Sequence, residues 1–135
     1  SRALTWYRKG LVGENPVDQL LAFWAALESI SSKFHEDNAR TKNGIINKIC
    51  NCFDRLWGDV ENWKVITNNP NEVNQFCDLR NGIAHGAIRV DVERIKQIIA
   101  VLPKYQELTR EFLLDWEING RKFETNPLLS NTPKP

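Results

Sequence analysis

One short stretch of this sequence joins residue types that could do chemistry together: Arg80-Asn81-Gly82-Ile83-Ala84-His85-Gly86. Arginine carries a permanent charge in a planar fork that matches phosphate oxygens, and histidine can take or give a proton near neutral pH. RNA can be cut without a metal when one group moves a proton at the 2′-hydroxyl or the leaving 5′-oxygen. A cation must then stabilise the charge that builds on the phosphorane. Arg80 and His85 are those two types, but on an unbroken helix five residues set them about 140° apart. They converge on one phosphate only if the helix ends between them, which Gly82 and Gly86 would allow, or if a second chain completes the site about a twofold axis. Gly86 in left-handed geometry would place His85 at a helix carboxyl end, where unpaired carbonyls favour a protonated imidazole.

Arg80 follows Phe76 by four residues, on the same side of a helix, and a guanidinium turned toward the interior or a crevice needs an anion there. Glu28, one turn after Trp24 on the flank of a strong apolar stripe, is the candidate. Three readings stand beside each other. Glu28 is a solvated residue at the edge of the stripe. Or Glu28 and Arg80 form a buried ion pair that fixes two helices, with His85 donating to a helix-end carbonyl. Or Glu28 meets Arg80 at a crevice, where the arginine faces solvent or substrate.

The composition narrows what surrounds this stretch. A chain of 135 residues, 41% apolar and 10% aromatic, can bury one core without metal or disulfides. Lys plus Arg is 18 against Asp plus Glu 17, so no global field draws in nucleic acid and any RNA contact must be local. Three cysteines cannot all pair, Cys50-x-Cys52 lacks the second half of a zinc spacing, and the two histidines form no ligand pattern. The expectation is therefore no metal, no cofactor and reduced thiols in a cytoplasmic protein. No run approaches the roughly 18 apolar residues of a membrane span, and the opening residues do not form a signal peptide. The chain contains no methionine, even at position 1. That suggests a fragment whose neighbouring effector or sensor domain lies outside it.

Several elements must position the stretch. Residues 1–15 keep neither helical nor strand period and read as a lead-in arm that packs Trp6 and Tyr7 on the body. Asn15-Pro16-Val17-Asp18 is a helix start, and Val17, Leu20, Leu21, Trp24, Leu27, Ile30 and Phe34 predict a first helix over residues 16–34. Residues 33–43 read as a loop or fraying helix end, with His35 an exposed bystander. Ile45, Ile46, Ile49, Cys52, Phe53, Leu56 and Trp57 predict a second helix, in which the cysteines serve as small packing residues. Residues 58–71 form a long connection, ending in Asn68-Asn69-Pro70-Asn71, that carries Trp63, Val65 and Ile66 inward.

A third predicted helix starts near Asn71 and buries Val73, Phe76 and Cys77. Asp91 caps the last region, where Val92, Ile95, Ile98, Ile99 and Leu102 precede Pro103, and Leu108, Phe112, Leu113 and Trp116 follow it. This is one kinked helix or two in series. Asn119-Gly120 ends it, and residues 119–135 read as a linker or disordered tail. The fold expected over residues 16–118 is an all-α single bundle of four to five helices, with a long connection between helices two and three.

These residues carry a resemblance. Arg80-Asn81 followed by His85 is similar to the R-x(4–6)-H motif of the HEPN superfamily, including the polar residue after the arginine. Leu21-Ala22-Phe23-Trp24-Ala25-Ala26-Leu27-Glu28, together with Leu79-Arg80-Asn81 and Ile83-Ala84-His85-Gly86, resembles the Apea-like HEPN branch found in bacterial phage-defence and related proteins. The likeness spans residues 17–118 in element order, and its specific part is these segments. It implies a helical bundle, usually dimeric, whose paired motifs form a metal-independent endoribonuclease leaving 2′,3′-cyclic phosphate or 3′-phosphate ends. It further implies that Arg80 holds the phosphate, His85 acts as acid or base, Asn81 positions one of them, and Glu28 orients Arg80. An RNA substrate, a homodimer and a place in phage defence or a toxin-like system follow from the same likeness. Some members of the superfamily are non-catalytic. With no surplus positive charge here, a nucleotide- or RNA-binding or oligomerisation module of a larger protein stands as the alternative.

Overall fold

Asn15 starts its helix as its neighbours predict: its side-chain oxygen accepts from the Asp18 N–H at 2.9 Å, and Pro16 occupies the first turn, where a missing N–H leaves nothing unsatisfied. The computed structural model describes residues 1–84 and 91–124. Over these the protein is all-α, with five helices: α1 (Arg2–Leu11), α2 (Pro16–Phe34), α3 (Ile45–Trp57), α4 (Asn71–Ala84) and α5 (Val92–Asp115). Helix α2 is the central element and packs on each of the other four. Leu20, Phe23, Trp24 and Leu27 on it are almost fully buried.

The core is an aromatic chain. Trp24 meets Phe76 edge to face at 5.1 Å between ring centres, and Phe76 stacks on Tyr105 at 4.0 Å. Phe53 lies among Trp57, Trp63 and Phe112, each 5.0–5.3 Å from it. Such pairs add packing specificity beyond their buried area. The long connection turns Trp63 and Ile66 inward, both 2% exposed, with Val65 between them at a φ of +69°. The break before it falls at Gly58, whose φ of +87° is one that side-chain-bearing residues rarely adopt.

Three expectations are revised and one is narrowed. The first concerns residues 1–15, most of which form helix α1 rather than an irregular arm. Its buried stripe is Ala3, Tyr7 and Gly10 at helical spacing, and small residues hide that period from a search for large apolar ones. Gly10 is there for close approach: a Cβ on it would lie 2.4 Å from Phe23 Cε1.

Second, His35 is no exposed bystander. Its side chain is 13% exposed and its Nδ1 donates to the Ser31 carbonyl at 2.7 Å, capping the end of α2. Third, of the two forms open for the last region the single helix is found: α5 runs through Pro103, which is exposed, so the Ile99 carbonyl it frees can turn to water. Val92 and Ile99 are also exposed, leaving Ile98, Tyr105, Leu108 and Phe112 as the buried stripe. Fourth, the segment after residue 118 does not leave the body at once. A π-helical turn (Trp116–Gly120) and a 3-10 turn (Arg121–Glu124) place Phe123 against Trp116, under the Arg55 guanidinium at 4.3 Å.

Candidate functional site

Helix α4 supplies two of the three motif residues within the described part of the chain. Asn71 and Glu72 lead it, and Val73, Phe76 and Cys77 bury its inner face. The carboxylate of Glu72, itself buried, is bonded by Lys104 of α5, which anchors the start of α4. The helix continues through Gly82 to Ala84, so no break falls among residues 80–84. His85 and Gly86, the remaining positions of the motif, lie outside the described residues.

Asn81 organises the turn before them. Its Nδ2 donates to Cys77 Sγ at 3.5 Å, one turn back, and its Oδ1 accepts from Arg80 Nη1 at 3.1 Å. The two bonds fix which way the amide points, and so hold the guanidinium in place. Burial pushes the Cys77 thiol above its ordinary value, and Asp78 adds to the shift. The Asn81 hydrogen bond and the Arg80 charge partly offset it. A protonated thiol therefore completes this turn, not a nucleophile.

Arg80 opens onto a cavity of about 700 Å³ between α1, α2 and the last turns of α4. Its floor is one face of α2, with Leu21, Ala22, Trp24 and Ala25, and its wall is α1, with Trp6 and Lys9. Glu28, on the helix that begins at Pro16, lines the same cavity. Yet the two form no ion pair: among the described residues no carboxylate oxygen comes within the 4.0 Å of a salt bridge to Arg80, and none of the salt bridges includes Glu28. The packed, mutually neutralised pair is thus not what holds α2 to α4. Aromatic contact between Trp24 and Phe76 does that.

Three further residues were not read from the sequence as lining a site. Lys9 holds its ammonium 4.6 Å from the Trp6 ring centre on the cavity wall, and Glu14 and Asp18 line the cavity beside the α1–α2 turn. The signal that could have found Lys9 is the Ala3-Tyr7-Gly10 stripe, since a helix buried on that side turns Trp6 and Lys9 to its flank. The cavity is therefore mixed in charge, with Lys9 and Arg80 against Glu14, Asp18 and Glu28.

Among the described residues no group of His, Cys, Asp and Glu could hold a metal ion. No helix there is long and apolar enough to cross a membrane. Comparison with family models, curated proteins and solved structures finds no match to this chain.

Proposed function

We propose that this chain is a metal-independent endoribonuclease of the HEPN type, cytoplasmic and acting as a homodimer in phage defence or a toxin-like system. Arg80 holds the scissile phosphate and His85 moves the proton at the 2′-hydroxyl or the leaving 5′-oxygen. Asn81 positions Arg80, and Glu28 bounds the site from α2. One observation carries the reading: Arg80 is oriented by Asn81 at 3.1 Å and faces an open cavity instead of being neutralised by Glu28. A guanidinium kept this way is suited to an incoming anion. Because α4 runs on to Ala84, a single chain does not turn back between Arg80 and that point. This favours a site completed by the same segment of a second copy. The test is cleavage of single-stranded RNA in EDTA. Wild type should cut, leaving cyclic phosphate ends, and His85→Ala and Arg80→Ala should not. Undiminished cutting by His85→Ala would dispose of the assignment.

A second reading rests on the lack of surplus positive charge in the cavity, where Glu14, Asp18 and Glu28 outnumber Lys9 and Arg80, which argues against a site that draws in an RNA backbone for cleavage. In it the chain is a non-catalytic nucleotide- or RNA-binding or oligomerisation module of a larger protein. Nucleotide binding without cleavage by wild type would select it.

A further inference from the structure

The cavity beside Arg80 has more structure than a phosphate site requires. As α1 recedes from the turn at Gly13, its contacts advance along α2. Gly13 lies beside Gln19, Gly10 accepts from Gln19 Nε2 at 3.0 Å and abuts Phe23, and Tyr7 meets Phe23 at 5.6 Å. The two helices are antiparallel, so Trp6, one position before Tyr7, lies toward the Glu28 and Arg80 end. Asp18, Leu21, Ala25 and Glu28 share one face of α2, and ten residues of helix make the trough about 15 Å long. Its ends differ: Arg80 and Glu28 at one, Glu14 and Asp18 at the other.

Arg80 and Glu28 are both half-buried, and neither is neutralised by the other. A ligand that satisfies both must offer an acceptor beside a donor. A ribonucleotide does so, with a phosphate oxygen next to a ribose hydroxyl. The floor of Leu21, Ala22 and Ala25, with the Trp6 indole on the wall, offers apolar and aromatic surface on which a base stacks, the Lys9 ammonium covering one face of the indole at 4.6 Å from the ring centre. Beyond them the wall carries Lys9 against Glu14 and Asp18, all exposed, so the trough has no surplus positive charge to draw a polynucleotide backbone along it. One nucleoside fits this pattern, and the volume is within the usual range for small-molecule sites.

We infer that the trough is a subsite for the nucleoside adjoining the phosphate on Arg80, with its base on the α2 floor against Trp6 and its ribose hydroxyl donating to Glu28. This rests on the reading of Arg80 as the phosphate holder. It adds that Glu28 accepts from the 2′-hydroxyl and so distinguishes RNA from DNA, which leaves His85 the leaving 5′-oxygen, and that α1 belongs to the site.

Calorimetric titration with adenosine 3′-monophosphate and its 2′-deoxy form tests this without any cleavage step. Wild type should bind the ribonucleotide about tenfold or more tightly over the deoxy form, and Glu28→Ala should bring the two together. Trp6→Ala should weaken both by roughly tenfold, while Trp6→Phe keeps most of the affinity. Equal binding of the two sugars by wild type overturns the inference, as does affinity indifferent to both Trp6→Ala and Glu28→Ala. Binding with these dependences but no RNA cleavage supports the subsite and removes the nuclease. Cleavage with no sugar preference in binding removes the subsite and keeps the nuclease.

Discussion

Glu28 on α2 and Arg80 on α4 line the same cavity without closing an ion pair across it. Arg80 is held instead from within its own helix, by Asn81. Two charges that face a common space, unsatisfied by each other, are expensive as architecture and useful as recognition groups. From this relationship the behaviour of the site can be separated from that of the scaffold.

Arg80→Ala should cost at most about 1 kcal/mol in urea denaturation, the hydrogen bond to Asn81 being the main loss. RNA cleavage should nevertheless disappear. A loss of about 3–5 kcal/mol, the cost of stranding a buried partner charge, would return Arg80 to a structural role.

Gly10→Ala should destabilise by about 1–3 kcal/mol, because the new methyl would lie within 2.4–2.9 Å of three Phe23 ring carbons. The ring is locked against Tyr7, so α1 must lift. Amide exchange should then quicken in α1 before it does in α3, and tryptophan fluorescence should report Trp6 leaving its wall. Unchanged exchange in α1 would show that Phe23 can rotate out of the way.

Lys104→Met should lower stability by about 1–2 kcal/mol, since it leaves the carboxylate of Glu72 buried without its cation. The discount from a fully buried pair reflects Lys104, whose side chain is 38% exposed and shares its charge with water. Adding Glu72→Gln to the same chain should recover part of the loss. Chemical denaturation of the single and double variants measures the coupling.

The buried thiols set the alkaline limit. Burial pushes Cys50 up to about 11 and Cys52 to about 12, from an ordinary 9.0, and raises Tyr105 in the same direction. These groups keep their protons in the folded chain and lose them first in the unfolded one. Their contribution to stability is fully present below pH 9 and is lost as pH rises toward 11–12. Thermal denaturation between pH 8 and 11 should show the midpoint falling only in the upper half of that range. A thiol reagent at pH 8 should label Cys50, Cys52 and Cys77 only after unfolding, all three being buried.

Large apolar side chains made much of the scaffold readable. Leu20, Trp24, Leu27 and Ile30 announce α2, Ile49 and Phe53 announce α3, and Val73 with Phe76 announce α4. In each case burial of bulky groups at helical spacing dominates the local energy. Caps such as Asn15 and Asp91 were equally legible, because their hydrogen bonds reach only three residues along the chain. Helix α1 escaped for the opposite reason. Only Tyr7 on its inner face is large; the rest is Ala3 and Gly10, and the value of Gly10 lies in how near it lets Phe23 come, a distance that belongs to two helices rather than one.

From the amino-acid order alone followed the all-α class, the caps, the inward turn of Trp63 and Ile66, and the placement of Arg80 on the inner flank of its helix. Each is set by neighbours a few residues away. Only the packed molecule decided that Arg80 takes Asn81 rather than Glu28 as its partner, that His35 closes α2, and that α1 walls a trough beside Arg80. Those outcomes turn on separations between groups far apart in the chain, and an ionic contact made or missed by a few ångströms leaves no trace in residue spacing.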